Sequence, residues 1–205
     1  MQPSFLYFDL GKVLIDFSLE RMMAQVAATV GAAIEQVRRA ILGDELLHRY
    51  ERGQVSSREF FKTFCAAAEC RPDYDRLANA VSEIFTLNLP VLPMVAQLRQ
   101  AGYRLGVLSN TCEVHWEYCF AHYRILTDAF DVHALSYRIG AAKPDAAIFR
   151  AAVEMAGRRP EDVFFVDDIA ENVAGARAFG FDAVQFTSAT ALAADLRRRG
   201  VRFNY

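Results

Sequence analysis

Residues 5–14 read FLYFDLGKVL, an apolar run that ends in a carboxylate and continues into a glycine-containing turn. A run of this kind predicts a short buried strand with Asp9 at its exit. Taking a carboxylate out of water costs free energy unless a cation or hydrogen-bond donors lie close to it. We therefore expect other parts of the chain to supply groups that compensate the charge of Asp9.

Three later apolar segments also end in polar groups: residues 105–108 before Ser109, residues 140–142 before Lys143, and residues 163–166 before Asp167 and Asp168. The first and third have strand character, and the second does not. In an open parallel α/β sheet, ligands bind beyond the carboxyl ends of the strands, where side chains from distant parts of the chain meet. The sequence therefore predicts one pocket that contains all of these polar side chains together with Asp9.

The carboxyl-terminal half of the chain alternates between helical and strand patterns. Strands are predicted at residues 104–108, 134–136, 163–166 and 183–186, and Asp145 is predicted to cap the start of a helix. Strands that alternate with helices in this way are typical of parallel sheets. The pattern predicts an α/β fold, a Rossmann-like parallel sheet with helices on both faces.

The segment from residue 17 to about residue 86 has a different pattern. Strand-like runs vanish, and apolar residues recur at helical spacing. Ser56 and Glu59 form a capping box that predicts the start of a helix, and Gly53 predicts a turn just before it. We interpret this segment as a group of helices inserted after the first strand of the sheet.

Composition limits the classes of function. The 205 residues, 53% of them apolar, suffice for one domain with an insertion. A formal charge of -2 with interspersed acids and bases gives no field for nucleic acid, and the longest uncharged stretch, residues 84–98, contains two prolines and predicts no membrane span. The first apolar run holds Asp9 and Lys12 and is unlike a secretion signal, so we expect a cytoplasmic protein.

The cysteines and histidines raise the question of a zinc site. Cys112, His115, Cys119 and His122 are spaced to share one helix face. At about 1.5 Å of rise per residue the outer two lie roughly 15 Å apart, too far for one ion with bonds of about 2 Å. We therefore expect an ordinary helix surface that includes His115 and Trp116, and cysteines that are small buried or half-buried side chains.

Four motifs occur in a fixed order along the chain: Phe8-Asp9-Leu10-Gly11, Leu108-Ser109-Asn110-Thr111, Lys143-Pro144-Asp145, and Val166-Asp167-Asp168-Ile169 continuing to Asn172. Together they resemble the haloacid dehalogenase superfamily, and within it the phosphatase branch related to glucose-1-phosphatase and to the phosphatase domain of soluble epoxide hydrolases. The resemblance spans nearly the whole chain. It implies a catalytic core of residues 1–16 and 87–205 and an inserted helical cap of residues 17–86.

The resemblance also implies a function, a Mg²⁺-dependent phosphatase that hydrolyses a small phosphomonoester through an aspartyl phosphate on Asp9. The expected partner is a small phosphorylated metabolite, for which a sugar phosphate is one candidate, and the chain is expected to be a monomer or a homodimer. The implied magnesium ligands are Asp9, the Gly11 carbonyl, Asp168 and, through water, Asp167. The implied phosphate ligands are Ser109, the Asn110 amide and Lys143, which as a catalytic residue would also contact Asp9. Asn172 would orient the acidic pair.

Gly11 departs from the pattern of most phosphatases in the superfamily. They carry a second aspartate at this position, which protonates the leaving group and then activates water. Loss of such an acid ordinarily costs about a hundredfold in rate or more, and least for a good leaving group such as that of a sugar 1-phosphate. The branch that this chain resembles shares the glycine. Lys12, a cap side chain such as His48, or a water molecule are the candidate substitutes.

Two other functions fit the sequence. In haloacid dehalogenation, Asp9 would attack carbon and no metal would be needed. The Asp167-Asp168 pair opposes this function, because it would repel a carboxylate substrate and favours a cation. The chain could instead be a catalytically idle binding or regulatory protein, since a fold does not guarantee a function.

Overall fold

The computed structural model describes residues 2–205, apart from the side chain of Asp44. Its strands are β1 Phe5–Phe8, β2 Ile15–Phe17, β3 Phe85–Leu87, β4 Arg104–Ser109, β5 Val132–Leu135, β6 Val163–Asp167 and β7 Asp182–Gln185. Its α-helices are α1 Leu19–Val30, α2 Ile34–Leu42, α3 Leu46–Glu51, α4 Ser57–Ala67, α5 Tyr74–Ser82, α6 Leu92–Gln100, α7 Glu113–His122, α8 Ile125–Asp128, α9 Ser136–Ile139, α10 Ala146–Ala156, α11 Ala170–Phe179 and α12 Ala189–Arg198. Within residues 2–205, no helix has both the length and the apolar character needed to cross a bilayer.

The main sheet has five strands in the order β5-β4-β1-β6-β7. All neighbouring strands in it are parallel. Phe8, the last residue of β1, pairs with Val107 of β4 and with Val166 of β6. The register therefore brings the carboxyl ends of the three central strands to the same edge, as the sequence predicts.

Side chains of β1 alternate between the two faces of the sheet, because successive residues of a strand point in opposite directions. Leu6 and Phe8 belong to an apolar cluster that includes residues of α6, α7 and α12. Phe5 and Tyr7 belong to a second cluster, formed with residues of α10 and α11. Helices thus cover both faces, and the α/β fold class expected from the sequence is confirmed.

Helices α1–α5, which we call the cap helices, lie between β2 and β3 in the chain and have an apolar cluster of their own. The β2 and β3 strands pair antiparallel in a two-stranded ribbon, with Ile15 opposite Leu87. The capping box at the start of α4 is present, since Ser56 and Glu59 each bond to the other's backbone. Gly53 has a positive φ of 64°, consistent with the expected turn.

Three local features differ from the sequence-based expectations. The ribbon of β2 and β3 was not expected, because strands of three residues are too short to show alternation. The strand expected to include Ser136 ends before it, and the Ser136 hydroxyl instead bonds to the backbone of Thr111. Asp145 precedes α10, but its side chain makes no capping bond and pairs with Arg52.

Candidate active site

The polar groups predicted to converge do so at the carboxyl edge of the sheet. Asp9 follows β1, and Ser109 and Asp167 are the last residues of β4 and β6. Lys143 comes from the loop between α9 and α10, and Asn172 from the first half of α11. All five side chains are buried. The structure therefore brings together residues that are separated by more than a hundred positions in the chain.

Lys143 links the two buried carboxylates of the site. Its Nζ atom lies 2.8 Å from Oδ1 of Asp9 and 2.6 Å from Oδ2 of Asp167. The third bond of this ammonium goes to the carbonyl of Leu108, at 3.0 Å. An ammonium group has three donors, so all three are used inside the site. The predicted contact of Lys143 with Asp9 is present, and the contact with Asp167 accompanies it.

Asp167 is held from several sides. The Asn172 amide donates to both of its oxygens at 3.1 Å, and the Ile169 amide donates to Oδ1 at 2.8 Å. Together with Lys143, these bonds occupy most of the acceptor capacity of this carboxylate. Asp168, by contrast, is half-buried, and it is therefore the member of the pair with more capacity to bind a ligand.

The site carries more negative than positive charge. Burial raises the pKa of Asp9 to about 7, and the ammonium of Lys143 opposes this rise. Burial and the neighbouring Asp167 raise the pKa of Asp168. Burial also disfavours the charge of Lys143, but Asp9 and Asp167 outweigh that effect and raise its pKa. One ammonium thus faces three carboxyl groups, and a further cation would lower the electrostatic energy of the site.

The donor set suits a hard divalent cation. Oxygens of Asp9, Asp167 and Asp168 all lie within 4.8 Å of one another. Carboxylate oxygens without nitrogen or sulfur ligands favour Mg²⁺ over zinc or copper. Among the residues that the structure describes, no other group of three or more His, Cys, Asp or Glu side chains comes this close together. Cys112, His115, Cys119 and His122 are not among such groups.

The loop after β4 is joined to the loop that carries Lys143. The Asn110 side chain accepts from the Lys143 amide at 2.7 Å and donates to the Lys143 carbonyl at 2.9 Å. The Ser109 hydroxyl makes a long bond of 3.4 Å to the Asn110 carbonyl, so it can turn toward a phosphate oxygen at little cost. The resemblance implies only a backbone role for Asn110, because nothing in the motif indicates where an amide side chain points.

Gly11 and Lys12 adopt a tight turn beside the nucleophile candidate. A Cβ atom at Gly11 would lie 3.0 Å from the ring of Phe17, so a larger side chain would require that ring to move. Lys12 has a φ of 59°, and its ammonium donates to the Phe17 carbonyl at 2.8 Å and lies over the Phe17 ring. Lys12 therefore points at Phe17, and His48, the other suggested substitute, is exposed.

A cavity of about 200 Å³ lies between the cap helices and this edge of the sheet. Gly11, Ser109 and His115 are among the residues that line it. The expectation that His115 and Trp116 lie at the surface is wrong. His115 borders the cavity, where burial lowers its pKa to about 4 and keeps the ring neutral, and the Trp116 side chain is buried in the core.

The comparisons with known proteins agree with this geometry. A family model described as haloacid dehalogenase-like hydrolase matches residues 6–180. The chain is thus a hydrolase of that class by fold and by sequence. It belongs to the haloacid dehalogenase-like hydrolase family, which confirms the resemblance carried by the four motifs.

Relatives and structural neighbours include phosphatases and a magnesium complex. The chain is 29% identical to phosphatase MT3486 of Mycobacterium tuberculosis (strain CDC 1551 / Oshkosh), over 89% of this chain and 87% of that protein. It is 26% identical to the pyrimidine 5'-nucleotidase YjjG of Escherichia coli (strain K12), over 84% and 80% of the two chains. The crystal structure of the haloacid dehalogenase family enzyme bt-2542 from Bacteroides thetaiotaomicron, in complex with magnesium and inorganic phosphate, superposes with a TM-score of 0.81. That pair is 26% identical over 91% and 95% of the chains.

Proposed function

We propose that the protein is a Mg²⁺-dependent phosphatase that hydrolyses a small phosphomonoester through an aspartyl phosphate on Asp9. The observation that carries the proposal is the arrangement of three carboxyl groups around one buried ammonium, at the edge of the sheet where Ser109 also ends its strand. Such a site has an oxygen nucleophile and a cationic partner, and its remaining charge requires a metal ion. These are the parts that phosphoryl transfer uses.

The hydrogen bonds of Asp9 support its role as the nucleophile. Its Oδ1 atom accepts from Lys143 at 2.8 Å and from the Leu10 amide at 2.7 Å. These bonds fix the carboxylate, and the remaining lone pairs are available for attack and for a metal ion. A bond forms between the carboxylate oxygen and phosphorus, while the bond from phosphorus to the alcohol oxygen breaks and its electrons leave with that oxygen. Water then hydrolyses the aspartyl phosphate and restores Asp9.

The other residues would bind and orient the phosphoryl group. The Ser109 hydroxyl, the Asn110 amide and Lys143 would compensate the charge on its oxygens. Asp9, the Gly11 carbonyl and Asp168 would hold Mg²⁺, with Asp167 acting through water. Bound there, Mg²⁺ would neutralise the phosphate and keep the Asp9 carboxylate ionised. Asn172 is a positioning residue, because it bonds both oxygens of Asp167.

The same geometry gives less support to the two alternative functions, haloacid dehalogenation and catalytically idle binding. A haloacid substrate would bring a further carboxylate to a site that already holds three carboxyl groups and one ammonium, so electrostatics opposes its binding. An idle protein would have no need for a nucleophile whose orientation is fixed by two donors. The proposed substrates therefore remain phosphomonoesters of small metabolites, among which sugar phosphates are candidates from the resemblance.

The proposal is tested by phosphate release from p-nitrophenyl phosphate with and without Mg²⁺. We expect turnover that requires Mg²⁺, and loss of at least a thousandfold in Asp9→Asn, because the amide is a poor nucleophile. Asp75→Asn, which changes an exposed carboxylate of α5, is the matched control and should keep full activity. Acid quenching during turnover should leave a phosphate adduct on the peptide that contains Asp9.

A wild-type protein inert toward a broad panel of phosphomonoesters with Mg²⁺ would contradict the proposal. Release of chloride from a 2-chloroacid in the same experiment would instead support dehalogenation.

A further inference from the structure

The cavity beside the site has a chemistry that differs from that of the site itself. Its floor is formed by the catalytic loops, through Leu10, Gly11, Ser109, Asn110 and Thr111. Its walls come from the cap helices and are apolar; Met22, Val26, Phe60, Phe61, Leu77 and Val81 are representative. A substrate whose phosphate is bound at Ser109 would therefore direct the rest of its structure toward apolar side chains.

Two hydroxyls of the cavity wall are engaged with each other. The hydroxyls of Tyr50 and Ser57 lie 2.7 Å apart, and Ser57 also bonds to Glu113. His115 is neutral, because burial lowers its pKa to about 4. Among the residues described, neither lysine nor arginine lines the cavity. A sugar would bury several hydroxyls with few partners, and each unsatisfied hydroxyl costs free energy.

We propose that the preferred substrates are phosphomonoesters of apolar alcohols, with a ring or chain of roughly eight carbon atoms. The inference rests on the proposed phosphatase function and narrows its substrate class. The size follows from comparison with an engineered protein cavity of about 150 Å³ that binds benzene, whereas this cavity measures about 200 Å³. The phosphate of a sugar phosphate would fit the catalytic loops, but its sugar hydroxyls would not match the apolar walls of the cavity.

The test measures kcat/KM for alkyl phosphates from ethyl to dodecyl, beside glucose 1-phosphate, ribose 5-phosphate and acetyl phosphate. The kcat/KM value should rise about fourfold per methylene until the cavity is filled near eight carbons, because each buried methylene contributes a roughly constant free energy. Sugar phosphates should be poorer substrates than octyl phosphate by at least a hundredfold.

Two outcomes of this series are distinguishable. If acetyl phosphate and p-nitrophenyl phosphate are hydrolysed but chain length has no effect, or if the sugar phosphates are better substrates, the substrate inference is wrong and the phosphatase function stands. If none of the compounds is hydrolysed, the phosphatase function itself fails.

A variant that fills the cavity gives an independent test. Ala78 of α5 is half-buried and lines the cavity, whereas Ala67 of α4 is exposed. In Ala78→Phe, kcat/KM for octyl phosphate should fall at least tenfold. Acetyl phosphate, whose small acyl group does not reach the wall, should be hydrolysed as in the wild type and so reports correct folding. Ala67→Phe is the control and should change neither substrate. An unchanged value for octyl phosphate in Ala78→Phe would overturn the inference.

A second observation concerns Glu51, the last residue of α3, which also lines the cavity. Both of its neighbours in the chain are attached to the catalytic core. The Val114 amide donates to the Tyr50 hydroxyl at 3.4 Å, and Arg52 donates to Asp145 at 2.7 Å. Val114 lies in the first turn of α7, just after the loop that follows Ser109, and Asp145 lies in the loop that holds Lys143. Glu51 is therefore fixed where the cap helices meet the catalytic loops.

The surroundings of Glu51 favour its protonated form. Burial raises the pKa of its carboxyl group, against the opposing influence of His48 and Arg52. The structure describes no ion pair or hydrogen bond for this side chain among the described residues, so its carboxyl group is not committed to another protein group. Gly11, which lines the same cavity, supplies no acid.

We infer that Glu51 is the general acid of the reaction, the role that an aspartate would have at the position of Gly11. As the bond from phosphorus to the alcohol oxygen breaks, the carboxyl proton of Glu51 passes to that oxygen, and a neutral alcohol leaves. The resulting carboxylate then takes a proton from the water that attacks the aspartyl phosphate, which returns Glu51 to its starting state. A catalyst of this kind matters most for alcohols that leave poorly as anions.

The test compares leaving groups in Glu51→Gln, which keeps the shape of the side chain and removes the acid. For octyl phosphate, kcat/KM should fall about a hundredfold. For p-nitrophenyl phosphate, whose leaving group needs no proton, it should change less than threefold. Glu35→Gln, at an exposed position of α2, is the control and should affect neither substrate. Equal losses for both substrates, or no loss for either, would overturn the inference.

Discussion

Replacing Lys143 with methionine removes the ammonium that lies between two buried carboxylates and keeps most of the side-chain volume. Only 1% of the Lys143 side chain is exposed, and its partners Asp9 and Asp167 are 9% and 0% exposed. Removing one partner of a buried ion pair costs about 3–5 kcal/mol, because the remaining charge is left uncompensated. We therefore expect Lys143→Met to lower the free energy of unfolding by about that amount near neutral pH.

The size of this loss should depend on pH in a defined direction. In the wild type, burial already raises the pKa of Asp9 to about 7, above its value in the unfolded chain. Without the ammonium, the pKa of Asp9 rises further. The folded variant therefore binds more protons than its unfolded chain up to a higher pH than the wild type does. Its free energy of unfolding then falls as pH rises, by up to about 1.4 kcal/mol per pH unit for one proton. The difference between wild type and variant should therefore grow from pH about 7 to pH about 9.

Urea unfolding followed by the fluorescence of Trp116, which is buried in the core, measures these free energies in metal-free buffer. Lys62→Met, at an exposed position of α4, is the matched control and should change stability by less than about 0.5 kcal/mol. Added Mg²⁺ should stabilise Lys143→Met by more than it stabilises the wild type, because the three carboxyl groups of the variant have lost their other cation. A loss below about 1 kcal/mol, or a loss that is constant over this pH range, would refute the electrostatic account of the site.

Two further predictions concern positioning. Gly53→Ala should weaken the attachment of the cap helices by more than Gly31→Ala does, since both glycines have positive φ but only a Cβ at Gly53 would clash with the Tyr137 carbonyl. Urea unfolding of both variants, with Gly31→Ala expected to lose about 1 kcal/mol and Gly53→Ala clearly more, checks this. Asn172→Ala should weaken Mg²⁺ binding about 10- to 100-fold in titration calorimetry, because Asp167 loses the donor that holds both of its oxygens. Unchanged Mg²⁺ affinity would contradict that role.

The sheet and the convergence of the site were predictable from local patterns. Apolar runs that end in Asp9, Ser109 and Asp167 indicate buried strands, and parallel strands place their carboxyl ends at one edge. Lys143 follows no strand, and its place in the site was predicted from the apolar run of residues 140–142 before it and from its motif. The roles assigned to these residues in catalysis and metal binding stay predictions.

The contacts around the site were less predictable. The sequence does not distinguish Asp167, which is buried and bonded by three groups, from its neighbour Asp168, because both follow the same apolar run. The side-chain bonds of Asn110 depend on the approach of a loop more than thirty residues away. Glu51 lies in a helical segment with no motif of its own, and only the packing of the cap helices on the core brings it to the cavity.

The ribbon of β2 and β3 brings the two ends of the inserted segment together. Ile15 lies opposite Leu87, and the Asn88 amide donates to the Leu14 carbonyl at 3.0 Å. The chain thus departs from the core and returns to it at almost the same point in space. A tight turn could in principle replace everything in between without altering the sheet. The inserted segment can therefore be exchanged as a unit while Asp9, Ser109 and Asp167 stay at the same edge of the sheet.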